Sequence, residues 1–397
     1  MEINSPTLFI EINNSEYIFT AGDMVEDNFQ LIYKHISPIR GIENLRIIDF
    51  DLVLEDIKKN IYLIEQKLNF IFKETILIIN NFDRSFINLS GFKKLNGSQL
   101  LKENIIYILN SLKSKIDQIE NKKTILHIFN SKYFLDKKKV ENLPIGLFGN
   151  FYSHELSFCV LNNNDYSNLI KIFDNCNLKI KKILFKSFVE GSIISNENTN
   201  LNTFFQIKIN ENNSQIFFFE DDSLKFEQNF NFGLDLILRD ISRITSLKKD
   251  IIKNIINNIE PTKNIVKDEL VEKELFENQN YIKIKKKLIL EIAEARIEEY
   301  LEIMLIKNIN FASYNKKDKI IFFVISNKSH LRCFKSLFQY FFSNNNNLNF
   351  KLKESIATED LMNSTSQLVH YGWKKEAIPI APIRKSVIAR LFEVLFN

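Results

Sequence analysis

The sequence predicts an α/β protein with an internal duplication, because each half begins with short strands joined by tight turns and continues into helices. In the first half, the strands Thr7–Ile12 and Glu16–Thr20 are joined by a turn at 13–15. A polar, asparagine-rich break at Ser195–Asn202 separates the halves. The second half opens on a predicted three-strand meander, Phe204–Ile209, Gln215–Glu220 and Leu224–Phe230.

The spacing of apolar residues predicts the remaining elements. Helical spacing predicts helices at Val53–Phe72, Gln99–Ile119, Asp165–Asn175, Gly233 to about Ser246, Glu291–Leu305, His330–Phe342 and Leu361–Tyr371. Short apolar runs predict strands at Leu45–Phe50, Thr75–Ile79, Thr124–Phe129, Glu155–Val160, Lys182–Phe185 and Ile320–Val324. The stretch Lys249–Ile306 is predicted to be mostly helical, with an interruption at Pro261.

Composition excludes several classes of protein. The chain has 397 residues, of which 45% are hydrophobic and 26% charged, and this balance excludes disorder as the main state. The net charge of +4 is low for a nucleic-acid-binding protein, so we expect no nucleic-acid partner. Three widely spaced cysteines argue against a disulfide framework, and the five histidines show no metal-ligand spacing. We expect a reducing, cytoplasmic environment and no bound metal.

The start of the sequence has neither a basic region nor an apolar signal core. The apolar runs along the whole chain are shorter than the roughly 20 residues that a membrane-spanning helix needs. We therefore expect a chain on the cytoplasmic side that reaches a membrane only by peripheral attachment.

The sequence contains no recognisable catalytic motif. We find no nucleophile elbow, no HExxH, no CxxC and no Walker-type loop. The paired acids Asp221 and Asp222 lie at a predicted hairpin tip, where a turn explains them. We therefore predict no catalytic residues and a protein that is not an enzyme.

The segment 383–397 is predicted to be an amphipathic helix, set apart from the body by Pro379 and Pro382. A wide apolar arc with basic flanks suits a helix that lies in a membrane interface. The alternative is a terminal helix docked on the protein core. The residues predicted to contact the membrane are Ile383, Arg384, Lys385, Val387, Ile388, Arg390, Leu391, Phe392, Leu395 and Phe396.

The expected strength of this attachment follows from the apolar area of the helix. Six inserted apolar side chains contribute about 6–9 kcal/mol, and the entropy lost in ordering the segment offsets most of it. One such helix should bind reversibly, whereas several copies in one assembly should bind firmly through avidity.

The helix Glu291–Leu305 has a densely charged surface that includes Glu291, Glu294, Arg296 and Glu299. A solvated helix face explains such a pattern, and a docking surface for a partner is the alternative. The tight turns at 13–15, 208–214 and 326–328 lack the glycines that let backbone N–H groups reach a phosphate.

The order of these segments resembles that of the FtsA family of bacterial cell-division proteins. Ile125–Asp136 resembles the family segment "VLHVIP…Y.ID", and Asn142–Leu147 resembles its "NPVGL" turn. Further similar segments are Asn177–Lys179, Leu184–Phe185, Gly233, Asp240–Ile241, Glu291–Glu299, Ser364–Gly372 and the separate amphipathic segment at the end. Their order and spacing together carry the resemblance, which covers essentially the whole chain.

The resemblance implies an α/β, actin-like (ribonuclease H-like, duplicated) fold with the inserted subdomain typical of this family. The resemblance also implies subdomain boundaries. Subdomain 1A would comprise 1–74, 161–194 and 355–376, and the inserted subdomain 1C would comprise 75–160. Subdomain 2A would comprise 195–246 and 306–354, and subdomain 2B 247–305, with a linker at 377–382 and the amphipathic helix at 383–397.

The nucleotide motifs of this family, which binds ATP and Mg²⁺, are eroded here. Its three nucleotide loops fall on Glu11, Asn13 and Asn14, then Gln206, Lys208 and Asn210, and finally Ser326 and Asn327. The second loop has lost its acidic residue and all three of its glycines. We therefore expect ATP binding to be weak or lost while the scaffold is kept.

The family links FtsZ polymers to the inner face of the cytoplasmic membrane, self-associates and recruits later division proteins. The resemblance therefore implies four partners: the FtsZ C-terminal tail, anionic lipids, further copies of the chain and later division proteins. It implies a location at the division septum. Subdomain 2B of the family docks the FtsZ tail, and Arg296 matches an arginine on the helix involved.

Two other functions compete with this adaptor role. An actin-superfamily ATPase or kinase would need the glycines that are missing from the nucleotide loops. The related pilus-assembly actin homologue is also an adaptor, but it lacks the terminal helix. The segment 383–397 and Ile125–Asp136 favour cell division over pilus assembly.

Overall fold

The computed structural model describes residues 6–13, 15–25, 28–43, 46–80, 82–259, 269–276, 279–315, 320–325, 332–344, 349–353 and 355–377. Its strands are β1 (Thr7–Ile12), β2 (Glu16–Val25), β3 (Asn28–Pro38), β4 (Ile42–Glu43), β5 (Arg46–Ile47), β6 (Glu74–Ile79), β7 (Arg84–Lys94), β8 (Lys123–Leu135), β9 (Lys138–Val140), β10 (Phe151–Asn162), β11 (Lys179–Phe185), β12 (Phe204–Ile209), β13 (Ser214–Glu220), β14 (Ser223–Phe230), β15 (Ile321–Ile325) and β16 (Phe350–Lys353).

Its helices are α1 (Phe50–Leu68), α2 (Lys102–Ile119), α3 (Asn163–Asn175), α4 (Lys186–Glu197), α5 (Leu234–Thr245), α6 (Lys249–Asn258), α7 (Lys286–Leu301), α8 (Ile309–Tyr314), α9 (Arg332–Asn344) and α10 (Thr358–Tyr371). A 3₁₀ turn at Lys273–Phe276 precedes α7, and a π-helical turn at Glu302–Ile306 follows it.

The chain divides into two compact units. The first unit comprises Met1–Ile39, Asp56–Asn81 and Asn177–Tyr371. The second unit comprises Arg40–Glu55, Phe82–Cys176 and Gly372–Asn397. Within the described ranges, no helix combines the length and apolar character that crossing a bilayer requires.

The first unit contains two five-stranded sheets that share one topology. The first sheet has the order β3-β2-β1-β6-β11, and the second has the order β14-β13-β12-β15-β16. In each, three strands form an antiparallel meander and two further strands continue parallel to the first of them. This repeated order confirms the predicted internal duplication and the ribonuclease H-like topology of each half.

Continuous apolar strands place the core of the first unit. Residues Phe204–Ile209 of β12 are all buried, as expected for a central strand covered on both faces. Phe205 packs against Phe218 and Phe311, with ring centroids 4.7 and 4.5 Å apart. The buried faces of α5, α6, α7 and α9 join the same cluster and cover one side of this sheet.

Helix α4 lies in the interior of the first unit. Eight of its residues are buried, including Glu190 and Gly191. A Cβ on Gly191 would lie 1.9 Å from the Phe219 ring, so the helix can approach β13 closely only with glycine at this position. On another face, the hydroxyls of Ser192 and Ser364 hydrogen-bond at 3.0 Å, which ties α4 to α10.

The second unit is built on an antiparallel sheet of order β7-β10-β8-β9. Helix α2 packs on this sheet, where Gly91 of β7 leaves room for Ile108. A Cβ on Gly91 would lie 2.3 Å from the Ile108 methyl group. Residues of α2, β8 and β10 form a core cluster separate from that of the first unit.

Several predicted boundaries were wrong. The predicted strand Leu45–Phe50 ends early, because Asp49 caps α1: its side chain accepts from the Leu52 N–H at 3.0 Å. Helix α1 also stops at Leu68 rather than Phe72, because Asn69 adopts a left-handed conformation. The predicted break at Ser195–Asn202 overlaps the end of α4, which continues to Glu197 because tertiary burial stabilises it.

Two segments lie outside the subdomain in which the predicted boundaries placed them. Strand β6 was assigned to the inserted subdomain by the boundary at 75, but it pairs in parallel with β1 because its apolar run fills the first sheet. Residues 375–377 pair with β8 in the second unit. The inserted part therefore starts after Ile79, and the chain returns to it after α10.

Gly191→Ala should destabilise the protein, although alanine normally favours a helix by about 1 kcal/mol over glycine. The added Cβ would overlap the Phe219 ring, and such overpacking costs roughly 1–3 kcal/mol. Urea unfolding followed by circular dichroism measures the decrease in the free energy of unfolding. Asn196→Ala, at an exposed position of the same helix, is the matched control and should change stability by less than about 0.5 kcal/mol. Equal behaviour of the two variants would contradict the close approach of α4 to β13.

Candidate functional site

Helix α4 presents two opposite charges on one face, Lys186 and Glu190, which are four residues apart. The Lys186 Nζ donates a hydrogen bond to the Glu11 Oε1 of β1 at 2.6 Å. Glu11 is only 1% exposed. This pair therefore connects α4 to the central strand of the first sheet.

Glu190 makes the matching connection to the second sheet. Its two carboxylate oxygens accept hydrogen bonds from the Lys208 Nζ at 2.9 and 2.7 Å, and one also accepts from the Gln206 Nε2 at 3.3 Å. Gln206 and Lys208 are two residues apart on β12 and so lie on one face of that strand. All three side chains are buried. We call Glu11, Lys186, Glu190 and Lys208 the charge network.

Burial and neighbouring charges act against each other in the charge network. Burial alone would raise the pKa of Glu190, but Lys208 and Lys186, together with hydrogen bonds from Lys208 and Gln206, lower it overall. Burial opposes the charge on Lys186 too, yet Glu11 and Glu190 raise its pKa overall. For Lys208, burial dominates and lowers the pKa. Two carboxylates are thus balanced by two ammonium groups.

Backbone hydrogen bonds join the turn after β12 to the start of α5. Asn210 and Glu211 accept hydrogen bonds from the first N–H groups of α5, those of Leu234 and Asp235, at 3.0 and 2.8 Å. A Cβ on Gly233 would lie 2.5 Å from both acceptor oxygens, so turn and helix are in direct backbone contact. The N-terminus is the end of a helix that attracts anions. At the N-terminus of α5, the first N–H groups already donate to acceptors within the protein.

These residues do not fit a triphosphate with its magnesium ion. Phosphate binding needs free backbone N–H groups and a surplus of positive charge. Here the Asn210 N–H donates to the Asn213 carbonyl, the first N–H groups of α5 donate to the carbonyls of the turn, and the charge network has no surplus. In the turn after β1, the Asn13 N–H donates to the Glu16 carbonyl and its side chain accepts from the Asn80 Nδ2, each at 3.0 Å.

The predicted nucleotide-loop residues thus have different positions. Glu11, Gln206 and Lys208 come together around α4, whereas Asn210 bonds to the Asn213 side chain within its own turn at 2.8 Å. Asn14, Ser326, Asn327 and the predicted membrane residues, from Ile383 to Phe396, lie outside the described residues. In the described part of the chain, no group of three or more His, Cys, Asp or Glu residues could hold a metal ion.

A groove of about 560 Å³ lies between α5 and α7. Its lining combines three of the predicted partner-binding residues, Glu291, Arg296 and Glu299, with Asp240, Arg243, Ile244, Ile292 and Ala295. The fourth, Glu294, lies outside this lining; burial, followed by the like charges of Glu298 and Glu291, raises its pKa.

Two arginines in the groove differ in their partners. Arg296 is half-buried, and its guanidinium donates to the carboxylates of Asp240 and Glu299. Arg243 is exposed and makes no ion pair within the described ranges. Ile244 beside it is 59% exposed. The groove therefore offers an apolar surface, one available cation and carboxylates that are already partly engaged.

Sequence reasoning missed Lys186 and Glu190 in the charge network, and Asp240 and Arg243 as groove residues. A lysine and a glutamate four residues apart, directly after a buried strand, were the available signal for the first pair. Asp240 and Arg243 lie on a different helix from Arg296, so their proximity follows only from the packing of α5 against α7.

Lys208 and Glu190 should be strongly coupled. Lys208→Met or Glu190→Gln alone leaves a buried charge unpaired, and each should lower the free energy of unfolding by about 3 kcal/mol or more. The double variant should lose less free energy of unfolding than the two single variants combined, by at least about 2 kcal/mol. Urea unfolding of the four proteins measures this coupling.

The exposed pair Lys287–Glu291 on α7, 3.4 Å apart, is the matched control. Lys287→Met and Glu291→Gln should each change stability by less than about 0.5 kcal/mol, with little coupling, because solvent screens both charges. Purely additive losses at Lys208 and Glu190 would show that the buried pair does not act as a unit.

No protein-family model matches the chain. The chain is 23% identical over 248 residues to the curated cell division protein FtsA of Buchnera aphidicola subsp. Acyrthosiphon pisum, a match that covers 62% of this chain and 59% of the relative. Its identity to FtsA of Buchnera aphidicola subsp. Schizaphis graminum is 22% over 234 residues, covering 59% and 56%. The chain thus matches less than 60% of the length of either relative.

Among solved structures, the PilM-PilN type IV pilus biogenesis complex matches with a TM-score of 0.55 at 9% identity. That match covers 92% of this chain and 98% of the other. At such low identity the likeness concerns the fold alone. Together with the duplicated strand order, it confirms the predicted actin-like fold. The chain therefore has an actin-like fold and is similar in sequence to FtsA cell-division proteins.

Proposed function

We propose that this protein is a cell-division adaptor that tethers FtsZ polymers to the cytoplasmic membrane and does not act as an enzyme. The groove between α5 and α7 is the observation that carries the proposal, because it gathers Arg296, Glu291 and Glu299 at the surface implied to dock the FtsZ tail. The similarity to curated FtsA proteins supports a role in cell division. The likeness to the pilus complex is one of fold and adds no function.

The groove suits a short peptide. Its volume of about 560 Å³ accommodates a few side chains, and the exposed Ile244 and half-buried Ile292 offer apolar contacts. Arg243 can pair with a peptide carboxylate, since it has no ion pair of its own among the described residues. The FtsZ tail is the occupant we propose.

In this proposal the adaptor works without nucleotide. Lys186 and Lys208 bring two positive charges to Glu11 and Glu190, as many as a magnesium ion would bring. The sheets are thus linked by side chains of the chain itself. Membrane attachment is assigned to 383–397, whose sequence alone supports it. Self-association would multiply these individually reversible anchors.

Co-sedimentation of FtsZ polymers with anionic liposomes tests the tether. We expect the full-length chain to carry FtsZ into the liposome pellet, equally with and without ATP. The chain ending at Pro382 should leave FtsZ in solution, because it lacks the amphipathic segment. A full-length chain that stays in solution would contradict membrane attachment. A chain that pellets without FtsZ would contradict FtsZ as the partner.

Arg243→Glu tests the groove in the same assay. It should reduce the FtsZ carried down by roughly tenfold, because a carboxylate replaces the available cation. Arg239→Glu is the matched control on α5; Arg239 pairs with Asp235 and lies outside the groove, so FtsZ recovery should not change. Arg296→Glu is a less clean test, because it would place a third carboxylate beside Asp240 and Glu299. An equal loss of FtsZ from the pellet with Arg243→Glu and Arg239→Glu would contradict the groove as the FtsZ-binding site.

A further inference from the structure

The last described residues of the chain extend the sheet of the second unit. The Asn130 N–H donates to the Lys375 carbonyl, and the Ala377 N–H donates to the Ile128 carbonyl, both at 2.7 Å. Residues 375–377 therefore lie antiparallel to β8 at the edge where β9 ends. This short added strand fixes the position of Ala377 on the second unit.

Side chains hold the same segment. Glu376 pairs with the His127 Nδ1 at 2.8 Å, and both side chains are largely buried. The Lys375 Nζ lies 5.1 Å from the centre of the Tyr133 ring, within range of a cation–π contact. The attachment of this segment thus uses backbone and side-chain bonds and does not depend on one contact.

The length of the following segment limits where the amphipathic stretch can begin. From Ala377 to Ile383 there are six Cα steps, and an extended chain spans at most about 20 Å over that distance. If 383–397 lies in a membrane interface, Ala377 and the part of the β8 edge that it pairs with lie within about 20 Å of that surface.

This edge is basic. The β8–β9 hairpin turns at Asp136 and Lys137, both in the left-handed conformation of a tight hairpin turn. Lys137, Lys138 and Lys139 are exposed there, and Lys374 and Lys375 follow along the edge of β8. We call these five lysines the basic edge.

Two acidic groups beside the basic edge have hydrogen-bond partners of their own. Asp136 accepts hydrogen bonds from the backbone N–H groups of Asn150 and Phe151, each at 2.8 Å, and Glu376 is paired with His127. Glu141 is exposed. The basic edge therefore lies beside Asp136, Glu141 and Glu376, and two of these carboxylates are already engaged.

We propose that the basic edge is a second contact with an anionic membrane surface, acting beside 383–397. The inference rests on the proposed membrane attachment and adds to it a defined face of the folded protein. A single weak anchor holds a protein stably at a membrane only with a second signal, and a basic patch is one such signal. Each lysine close to an anionic leaflet contributes roughly fivefold in affinity.

Vesicle flotation of the full-length chain tests this proposal. The probes are phosphatidylcholine vesicles with and without phosphatidylglycerol. Lys137→Gln/Lys138→Gln/Lys139→Gln should bind the anionic vesicles roughly tenfold to a hundredfold less tightly than the unchanged protein. Binding to neutral vesicles should be equal. Added salt should reduce the difference in anionic-vesicle binding between this variant and the unchanged protein, since salt screens exposed charges.

Lys58→Gln/Lys59→Gln/Lys67→Gln is the matched control. It removes three exposed lysines from α1 and changes the net charge equally, so its vesicle binding should match that of the unchanged protein. Circular dichroism confirms that both variants are folded. Lysines on an edge strand also prevent strand-to-strand aggregation. If that were their only role, the hairpin variant would aggregate but its monomer would bind anionic vesicles normally, which would overturn the proposal.

The two proposals fail in distinguishable ways. If the full-length chain floats, the chain ending at Pro382 does not, and the hairpin variant floats normally, the basic edge is not a membrane contact and the tether stands. If the full-length chain does not float on either vesicle, membrane attachment and the basic-edge contact are overturned together. Equal losses in the hairpin and α1 variants would show an effect of net charge alone and would also overturn the assignment.

Discussion

Two largely buried lysine–glutamate pairs on one helix face connect the two five-stranded sheets of the first unit. Lys186 reaches Glu11 on β1, and Glu190 reaches Lys208 on β12, so each pair ends on the central strand of a sheet. A buried charge is tolerated only when it is paired and hydrogen-bonded. The need to keep both pairs intact therefore constrains the position of α4.

This constraint bears on two further features of the first unit, the turn after β12 and the groove. We propose that the charge network holds the duplicated scaffold together without phosphate-binding turns. The turn at Asn210 and Glu211 instead accepts hydrogen bonds from the first N–H groups of α5. Helix α5 in turn packs against α7 and forms the groove proposed to dock FtsZ. In the proposed function, the actin-like fold supports binding surfaces and does not need the chemistry of a nucleotide site.

Much of this could be predicted from the sequence, and the rest depends on tertiary contacts. The meander that begins at Phe204–Ile209 was predicted because apolar runs bounded by turns define strands. Helix α4 was missed because its serines, its asparagine and its glycine are typical of a break, and burial overrides that preference. Arg296 was predicted from the resemblance, but Arg243 comes from another helix, and the sequence contains no signal that brings them together. The membrane-binding prediction for 383–397 lies outside the described residues and stays a prediction.

Titration calorimetry of the full-length chain with ATP and Mg²⁺ tests the central claim most directly, with ATP in EDTA and Mg²⁺ alone as controls. If the charge network replaces nucleotide and metal, no saturable heat should appear, and the melting temperature should not change when Mg·ATP is added. Saturable binding of Mg·ATP that also raises the melting temperature would contradict the claim. It would mean that Glu11, Lys186, Glu190 and Lys208 rearrange to admit a nucleotide, and that the scaffold is not held by its own charges alone.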